Sequence, residues 1–193
     1  MIEGIVLAAG MSQRAGSNKL LWMVEGRTLI EHALHGMAPH VEHIYVVTGP
    51  YHAALTSQLI HWSNITLIYN DQHLQGMFTS VKKGVAFSHP CSDVLILPGD
   101  CPFVKDTTYL AMAKPHETMA VPRYDSRRGH PIFIPSRLKA PLLLEPDSSH
   151  LKHFRNTHGF VEIPTDDAHI IIDIDTIEDF NQSLDATRKD ERL

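Results

Sequence analysis

Leu7-Ala8-Ala9-Gly10-Met11-Ser12-Gln13-Arg14-Ala15-Gly16-Ser17-Asn18-Lys19-Leu20-Leu21 sets one arginine and one lysine in a run of small residues, just after a short apolar segment. Ala8, Ala9 and Gly10 let the backbone approach a ligand closely, and successive exposed amides in such a loop form an anion-binding nest. Arg14 and Lys19 supply the positive charge that a triphosphate requires, and a guanidinium grips phosphate oxygens in pairs. The spacing is not that of a Walker A loop, because no G-x-x-x-x-G-K-[ST] occurs. Gly10 and Gly16 are also wrongly spaced for the dinucleotide fingerprint G-x-G-x-x-G. A surface loop with two solvated cations is the plainer reading of this stretch taken alone.

Two further stretches carry carboxylates. In Val94-Leu95-Ile96-Leu97-Pro98-Gly99-Asp100-Cys101-Pro102, Asp100 follows an apolar run. One carboxylate among phosphates is a natural Mg²⁺ ligand, since Mg²⁺ takes one or two carboxylates together with water and phosphate oxygens. The alternative is an Asp that makes a turn or caps the next helix. In Ile170-Ile171-Ile172-Asp173-Ile174-Asp175-Thr176, Asp173 and Asp175 alternate with isoleucines. On a strand that alternation points both to one face. Two like charges side by side are costly unless a cation neutralises them. The spacing leaves open which of the two binds a metal, with Asp173 slightly favoured and Asp175 also readable as the start of a helix.

Asn70-Asp71-Gln72-His73-Leu74-Gln75-Gly76-Met77-Phe78-Thr79-Ser80 leads from a strand into a helix. A helix N-terminus with amides and hydroxyls suits contacts to a base and a ribose, and a capped helix start explains the same residues equally well. Arg127-Arg128-Gly129-His130-Pro131-Ile132 joins two arginines to a glycine that permits close approach, a pattern that most often marks an exposed hairpin turn. Cys101 beside Asp100 reads as a bystander thiol. His32 with His35, and His150 with His153, share helix faces but have no thiolate or second pair at zinc-site spacing, so both read as solvated surface.

Positioning these stretches requires an alternating α/β chain. Strands are expected at residues 4–7, 43–48, 65–69, 93–97, 119–121, 130–134, 160–163 and 169–174. Helices are expected at 28–37, stopped by Pro39, and at 51–60, 77–87, 105–113, 136–144, 148–156 and 176–184. Residues 123–129 read as a polar turn, and Met77, Val81 and Val85 as one apolar row on their helix. The order predicts a three-layer α/β/α sandwich, Rossmann-like, with a mostly parallel sheet. In such sheets ligands sit beyond the carboxyl ends of the strands, which is where Gly10 and Asp100 fall. One domain is expected over residues 1–187, followed by a frayed charged tail at 188–193.

Composition narrows the partners. With 17 basic and 22 acidic residues the chain carries a formal charge of −5, unlike the basic footprint of a nucleic-acid binder. No apolar run approaches the roughly 20 residues of a membrane span. The opening Met1-Ile2-Glu3-Gly4 lacks the basic region of a signal peptide. Two cysteines, Cys91 and Cys101, are too few for a disulfide scaffold, so a reducing cytoplasm is the expected location.

The A-A-G-x-S-x-R-x-G-x-x-K-L-L run resembles the signature of the nucleotidyltransferase A-like superfamily, and most closely the molybdenum cofactor cytidylyltransferase group, which is similar to the molybdenum cofactor guanylyltransferases. The resemblance runs through five stretches in order over nearly the whole chain. It implies the fold of nucleotide-diphospho-sugar transferases and transfer of CMP from CTP to a molybdopterin-type acceptor with release of pyrophosphate. It further implies that Leu7, Ala8, Ala9, Gly10, Arg14 and Lys19 wrap the triphosphate, with Arg14 and Lys19 on phosphate oxygens. Gly76 and Ser80 would lie near the nucleoside. Asp100, with Asp173 or Asp175, would hold Mg²⁺, for which Mn²⁺ can substitute. Gly129, His130 and Pro131 would face the acceptor, with the two arginines available to its phosphate. Many relatives read A-D-Q-P where this chain has Gly99-Asp100-Cys101-Pro102, which leaves the metal role intact and the acceptor contacts less defined. GTP users tend to read L-A-G-G, so Ala9 favours CTP. The competing expectations are a guanylyl or other nucleotidyltransferase acting on another small phosphorylated acceptor, and a non-catalytic protein that delivers cofactor to a molybdoenzyme or its chaperone.

Overall fold

The computed structural model describes residues 1–11 and 18–174. Arg14, Asp175, the helix expected at 176–184 and the tail at 188–193 lie outside the described residues.

Ten strands and six α-helices are described: β1 (Ile2–Ala8), β2 (Met23–Val24), β3 (Arg27–Thr28), α1 (Leu29–Met37), β4 (Ile44–Thr48), α2 (His52–Gln58), β5 (Ile65–Tyr69), α3 (Met77–Phe87), β6 (Asp93–Pro98), α4 (Asp106–Met112), β7 (Met119–Tyr124), β8 (Arg127–Arg128), β9 (Ile132–Ile134), α5 (Lys139–Leu144), α6 (Leu151–His158) and β10 (Phe160–Pro164). The main sheet runs β10-β7-β9-β6-β1-β4-β5, with β8 paired to β7. β1 lies at its centre, parallel to β4 and to β6, and β5 is parallel to β4. β9 runs against both β6 and β7, while β10 is parallel to β7. The sheet is therefore mostly parallel, as the sequence predicts.

Side-chain alternation along β1 splits the core into two layers. Val6 and Ala8 face a cluster built on α1, α2 and α4, through Ile30, Leu34, Leu55 and Tyr109. Ile5 faces the opposite cluster, built on α3, α5 and α6, through Phe78, Val81, Leu142 and Phe154. The result is the expected α/β/α sandwich. Strands covered on both faces need no polar alternation, which is why β6 is a continuous buried run from Val94 to Pro98. Helix α1 starts where Glu31 accepts hydrogen bonds from the Thr28 amide (2.8 Å) and hydroxyl (2.7 Å). No helix among the described residues is long and apolar enough to cross a membrane.

Three local expectations need correction, and one hairpin lies where the sequence reading assigns no element. Residues 169–174 are not a strand: Ala168–Ile171 forms a 3-10 turn, and residues 172–174 run on outside any ladder. The Asp167 carboxylate accepts the His169 amide (3.0 Å) and starts the turn. The backbone groups of the segment then bond to single loop partners, as with His130 N to Ile170 O (2.8 Å) and Ile174 N to Asp100 O (3.0 Å). Residues 123–129 are the end of β7 and all of β8, a hairpin turned at Asp125, whose φ is 50°. Met77 leaves the apolar row of α3 and is 66% exposed, because it opens the helix at the sheet edge, while Phe78, Val81 and Val85 face the core. The small β2–β3 hairpin was not anticipated; Glu25 and Gly26 close it with φ of 45° and 84°, the left-handed turn that hairpin twist requires.

Candidate active site

The topology collects the chemical residues on one rim. Parallel strands β1, β4, β5 and β6 end at Ala8, Thr48, Tyr69 and Pro98 on the same edge of the sheet. β9 runs the other way beside β6, so its amino end, Gly129-His130-Pro131, arrives at that edge too. The loop that follows β10 crosses the same rim and brings Asp173.

Asp100 is fixed by the tight exit of β6. The Gly99 amide bonds back to Leu7 O (2.9 Å) and the Cys101 amide to Pro98 O (3.1 Å). A Cβ on Gly99 would sit 3.1 Å from Ile30 Cδ1 and 3.2 Å from Leu7 O, so glycine lets the chain pass closely over β1 here. Lys19 sits on a 3-10 turn, Lys19–Leu21, whose start is held by Asn18 accepting the Leu20 amide (3.2 Å). Its Nζ lies 2.7 Å from Asp100 Oδ2. Cys101, 1% exposed, donates its thiol proton to Asp173 Oδ1 across 3.1 Å. Single ligand atoms of Asp100, Cys101 and Asp173 all fall within 4.8 Å of one another. Residues from three remote parts of the sequence thus form a cation–carboxylate–thiol–carboxylate cluster.

Electrostatics keep the thiol and the nearby imidazole neutral. Burial first, then the negative charges of Asp100 and Asp173, push the Cys101 thiol well above its ordinary range, so it stays a hydrogen-bond donor. Burial pushes the His130 imidazole down, and attraction to Asp173 and Asp100 only partly opposes it. His130 Nδ1 is buried and without a hydrogen-bond partner among the described residues.

Gly129 and its neighbours act on the site from beneath. A Cβ on Gly129 would come within 2.0 Å of Ile170 O, so this backbone lies directly against the turn that carries Asp173. The His130–Pro131 peptide bond is cis. Arg128, one of the two arginines considered for an acceptor phosphate, is instead engaged by Glu162 on the neighbouring β10 (2.6 Å) and packs over Phe160. Glu162 also pairs with Arg123 at 3.0 Å.

The remaining expected positions divide by exposure. Gly10 is exposed, with open space around its Cα, and Ala9 O is approached by Gly49, where any Cβ would sit 2.7 Å away. Leu7 and Ala8 belong to β1 and offer the rim backbone rather than side chains. Gly76, with φ of 116°, opens α3 beside a cleft of about 360 Å³ lined by Met77, Phe78, Val81 and residues 147–152. Ser80 is buried and its hydroxyl accepts from Asn70 Nδ2 (2.9 Å), so it braces the helix start instead of projecting into that cleft. His35, His150 and His153 are exposed as expected, and His150 Nδ1 caps its own helix by accepting the His153 amide (2.9 Å); His32 is instead half-buried, with Nε2 3.0 Å from Val24 O.

Sequence reasoning missed two groups. Cys101 touches Asp173 directly, and nothing in Asp100-Cys101-Pro102 signals a partner 72 residues away. Asp167, fully buried, accepts from the Lys105 amide (2.8 Å), the Thr108 hydroxyl (2.9 Å) and the His169 amide and ring. Asp-x-His ahead of an apolar run is a recognisable cap signal and could have marked this turn.

Residues 4–161 match the model of the MobA-like NTP transferase domain, which covers most of the chain. The chain belongs to that family. It is accordingly a nucleotidyltransferase with the fold of nucleotide-diphospho-sugar transferases. Among curated relatives, the molybdenum cofactor cytidylyltransferase of Escherichia coli (strain K12) is 29% identical over 182 residues, covering 93% of each chain. A nucleotidyl transferase from Methanothermobacter thermautotrophicus superposes with a TM-score of 0.83 at 20% identity, covering 98% of both chains. A Mycobacterium tuberculosis H37Rv protein solved in complex with manganese superposes with a TM-score of 0.70 at 20% identity, covering 94% of this chain and 96% of that one.

Proposed function

We propose that this nucleotidyltransferase moves CMP from CTP to the terminal phosphate of a molybdopterin-type acceptor, using a divalent cation held by Asp100 and Asp173. The observation that carries this reading is the cluster itself: two carboxylates and a thiol within 4.8 Å at the sheet rim, with Lys19 seated on one carboxylate. The two carboxylates of that cluster fit Mg²⁺ or Mn²⁺, which favour carboxylate oxygen completed by phosphate and water, while the protonated thiol is not a ligand. The Lys19 ammonium, 2.7 Å from Asp100, supports a site that attracts positive charge. The manganese complex of the Mycobacterium tuberculosis protein supports the same choice of metal class.

Asp100 and Asp173 would hold the cation, which would supply charge neutralisation at the phosphates and help orient the leaving group. An oxygen of the acceptor's phosphate monoester bonds to the α-phosphorus, the bond from that phosphorus to the bridging oxygen breaks, and pyrophosphate departs with the bonding pair. No protein base is required, because a phosphate monoester is largely anionic near neutral pH. Gly10 and the rim backbone of Leu7, Ala8 and Ala9 cradle the triphosphate, while Lys19, and Arg14 from the same loop, balance the charge that develops on it. Gly76 and the cleft beside it receive the nucleoside. Gly129, His130 and Pro131 border the acceptor side, where the buried His130 Nδ1 has no partner among the described residues. The choice of CTP rests on Ala9 and on the cytidylyltransferase relative, and a reducing cytoplasm agrees with two free cysteines.

The test is pyrophosphate release by the purified chain supplied with Mg²⁺, molybdopterin and either CTP or GTP. Release with CTP is expected. Release with GTP alone overturns the base assignment, and no release with any nucleoside triphosphate overturns transfer to this acceptor.

A further inference from the structure

We propose that Cys101 is a positioning residue, whose thiol hydrogen bond holds the Asp173 carboxylate in register with Asp100 for cation binding. The inference deepens the reading above and rests on it. The two carboxylates reach the rim differently. Asp100 leaves a strand paired on both sides, and Lys19 contacts its side chain at 2.7 Å. Asp173 sits exposed on a segment outside the sheet, and Ile174, fully buried against Val24 and Leu29, anchors only its backbone. A side chain so placed has no ladder to fix its orientation, so a hydrogen-bond donor is what aims it at the second carboxylate within 4.8 Å.

The Cys101 thiol is that donor. Its sulfur lies 3.1 Å from Asp173 Oδ1. Its own place is fixed by the Cys101 amide bond to Pro98 O and by packing in the core cluster with Leu20, Ile30 and Tyr109. A thiol suits this position because it behaves as a small apolar group on its buried side and as a weak donor on the other. One S–H occupies a single lone pair, and the remaining acceptor sites of Asp173 stay open to a cation. Groups that orient a metal ligand in this way typically change metal affinity by 10–100-fold when removed.

The experiment is Mn²⁺ binding to the full chain with CTP, read from the electron paramagnetic resonance signal of free Mn²⁺, with thermal unfolding as a control. Cys101→Ala should weaken Mn²⁺ binding about tenfold, and Cys101→Ser, which restores a donor, should return it to within about threefold of the parent. Cys101→Ala should add little on top of Asp173→Asn, since the group it positions is then already lost. Equal affinity in the parent, Ala and Ser forms overturns the proposal. Unchanged affinity in Asp173→Asn overturns the metal reading itself, which separates the two failures. If the Ala variant does not fold, the S–H stretching band decides, recorded in a Cys91→Ser background so that Cys101 is the sole thiol. The band should move to higher wavenumber in Asp173→Asn, and an unmoved band contradicts the hydrogen bond.

Discussion

Asp100 and Asp173 meet at one spot on the sheet rim, yet one is delivered by regular structure and the other by a patchwork. Asp100 lies two residues past the end of β6, which is laddered to β1 on one side and β9 on the other. Asp173 follows a 3-10 turn held by the buried Asp167, by the backbone of Gly129-His130 and by a carbonyl of Asp100 itself. Position on a ladder is shared among many hydrogen bonds and survives loss of one. Position on a patchwork depends on a few specific contacts. Substitutions near Asp100 should therefore act through chemistry, and substitutions around residues 167–174 through geometry.

The sharpest separation is expected from Asp100→Ala. It should fold normally and lose about 10²–10³-fold in turnover, as when a preorganised charge-stabilising group is removed. Steady-state kinetics beside a thermal melt checks this, and a destabilised protein with near-normal turnover would reverse the contrast. Lys19→Ala should lower kcat/KM about 10²-fold. The same change should strengthen Mn²⁺ binding in the absence of nucleotide, because the ammonium 2.7 Å from Asp100 no longer competes for it. Weaker Mn²⁺ binding in that titration would place Lys19 in support of the metal rather than in competition with it.

Gly129→Ala tests the patchwork from outside. The new Cβ would meet Ile170 O at 2.0 Å, so the turn carrying Asp173 must shift. A displacement near 1 Å costs up to about 10²-fold in rate, and turnover should fall about tenfold or more with Tm also reduced. A protein with unaltered kinetics and stability would show that the turn does not position the site.

Asp167→Asn should give the smallest change in rate and a change in acid stability. Burial alone would raise the Asp167 carboxyl, but hydrogen bonds from His169, the Lys105 amide and Thr108 outweigh it and hold it below the ordinary carboxylate range. The stability it contributes is thus fully present above about pH 4 and is lost as the pH falls through its lower folded value. At neutral pH the Asn variant should be about 1–3 kcal/mol less stable. The gap between the parent and the variant in thermal melts should close below pH 4, and a constant gap would remove Asp167 from the acid response.

The same contrast explains what could be read from the sequence. The rim of Gly10, Lys19 and Asp100 was legible because buried parallel strands announce themselves as apolar runs and ligands gather where they end. Met77–Phe87 and Ile65–Tyr69 were placed to the residue for the same reason. The alternation from Ile170 to Asp175 imitated a strand. Its isoleucines are apolar because Ile170 and Ile174 enter two different clusters, not because they share a face. Period alone does not distinguish a strand from a turn whose backbone partners, His130 and Asp100, lie 40 or more residues away. Ser80 and Arg128 belonged to recognisable segments, but their burial or pairing depended on Asn70 and Glu162, which local patterning does not connect to them.

The most direct test of convergence is anomalous diffraction from crystals grown with Mn²⁺ and a non-hydrolysable CTP analogue. The manganese peak should lie at direct-coordination distance from a carboxylate oxygen of both Asp100 and Asp173 and touch the α-phosphate, with Lys19 moved from Asp100 to a phosphate oxygen. A peak bound to phosphates alone, with Lys19 still on Asp100 and Asp173 turned away, would contradict the site assembled here.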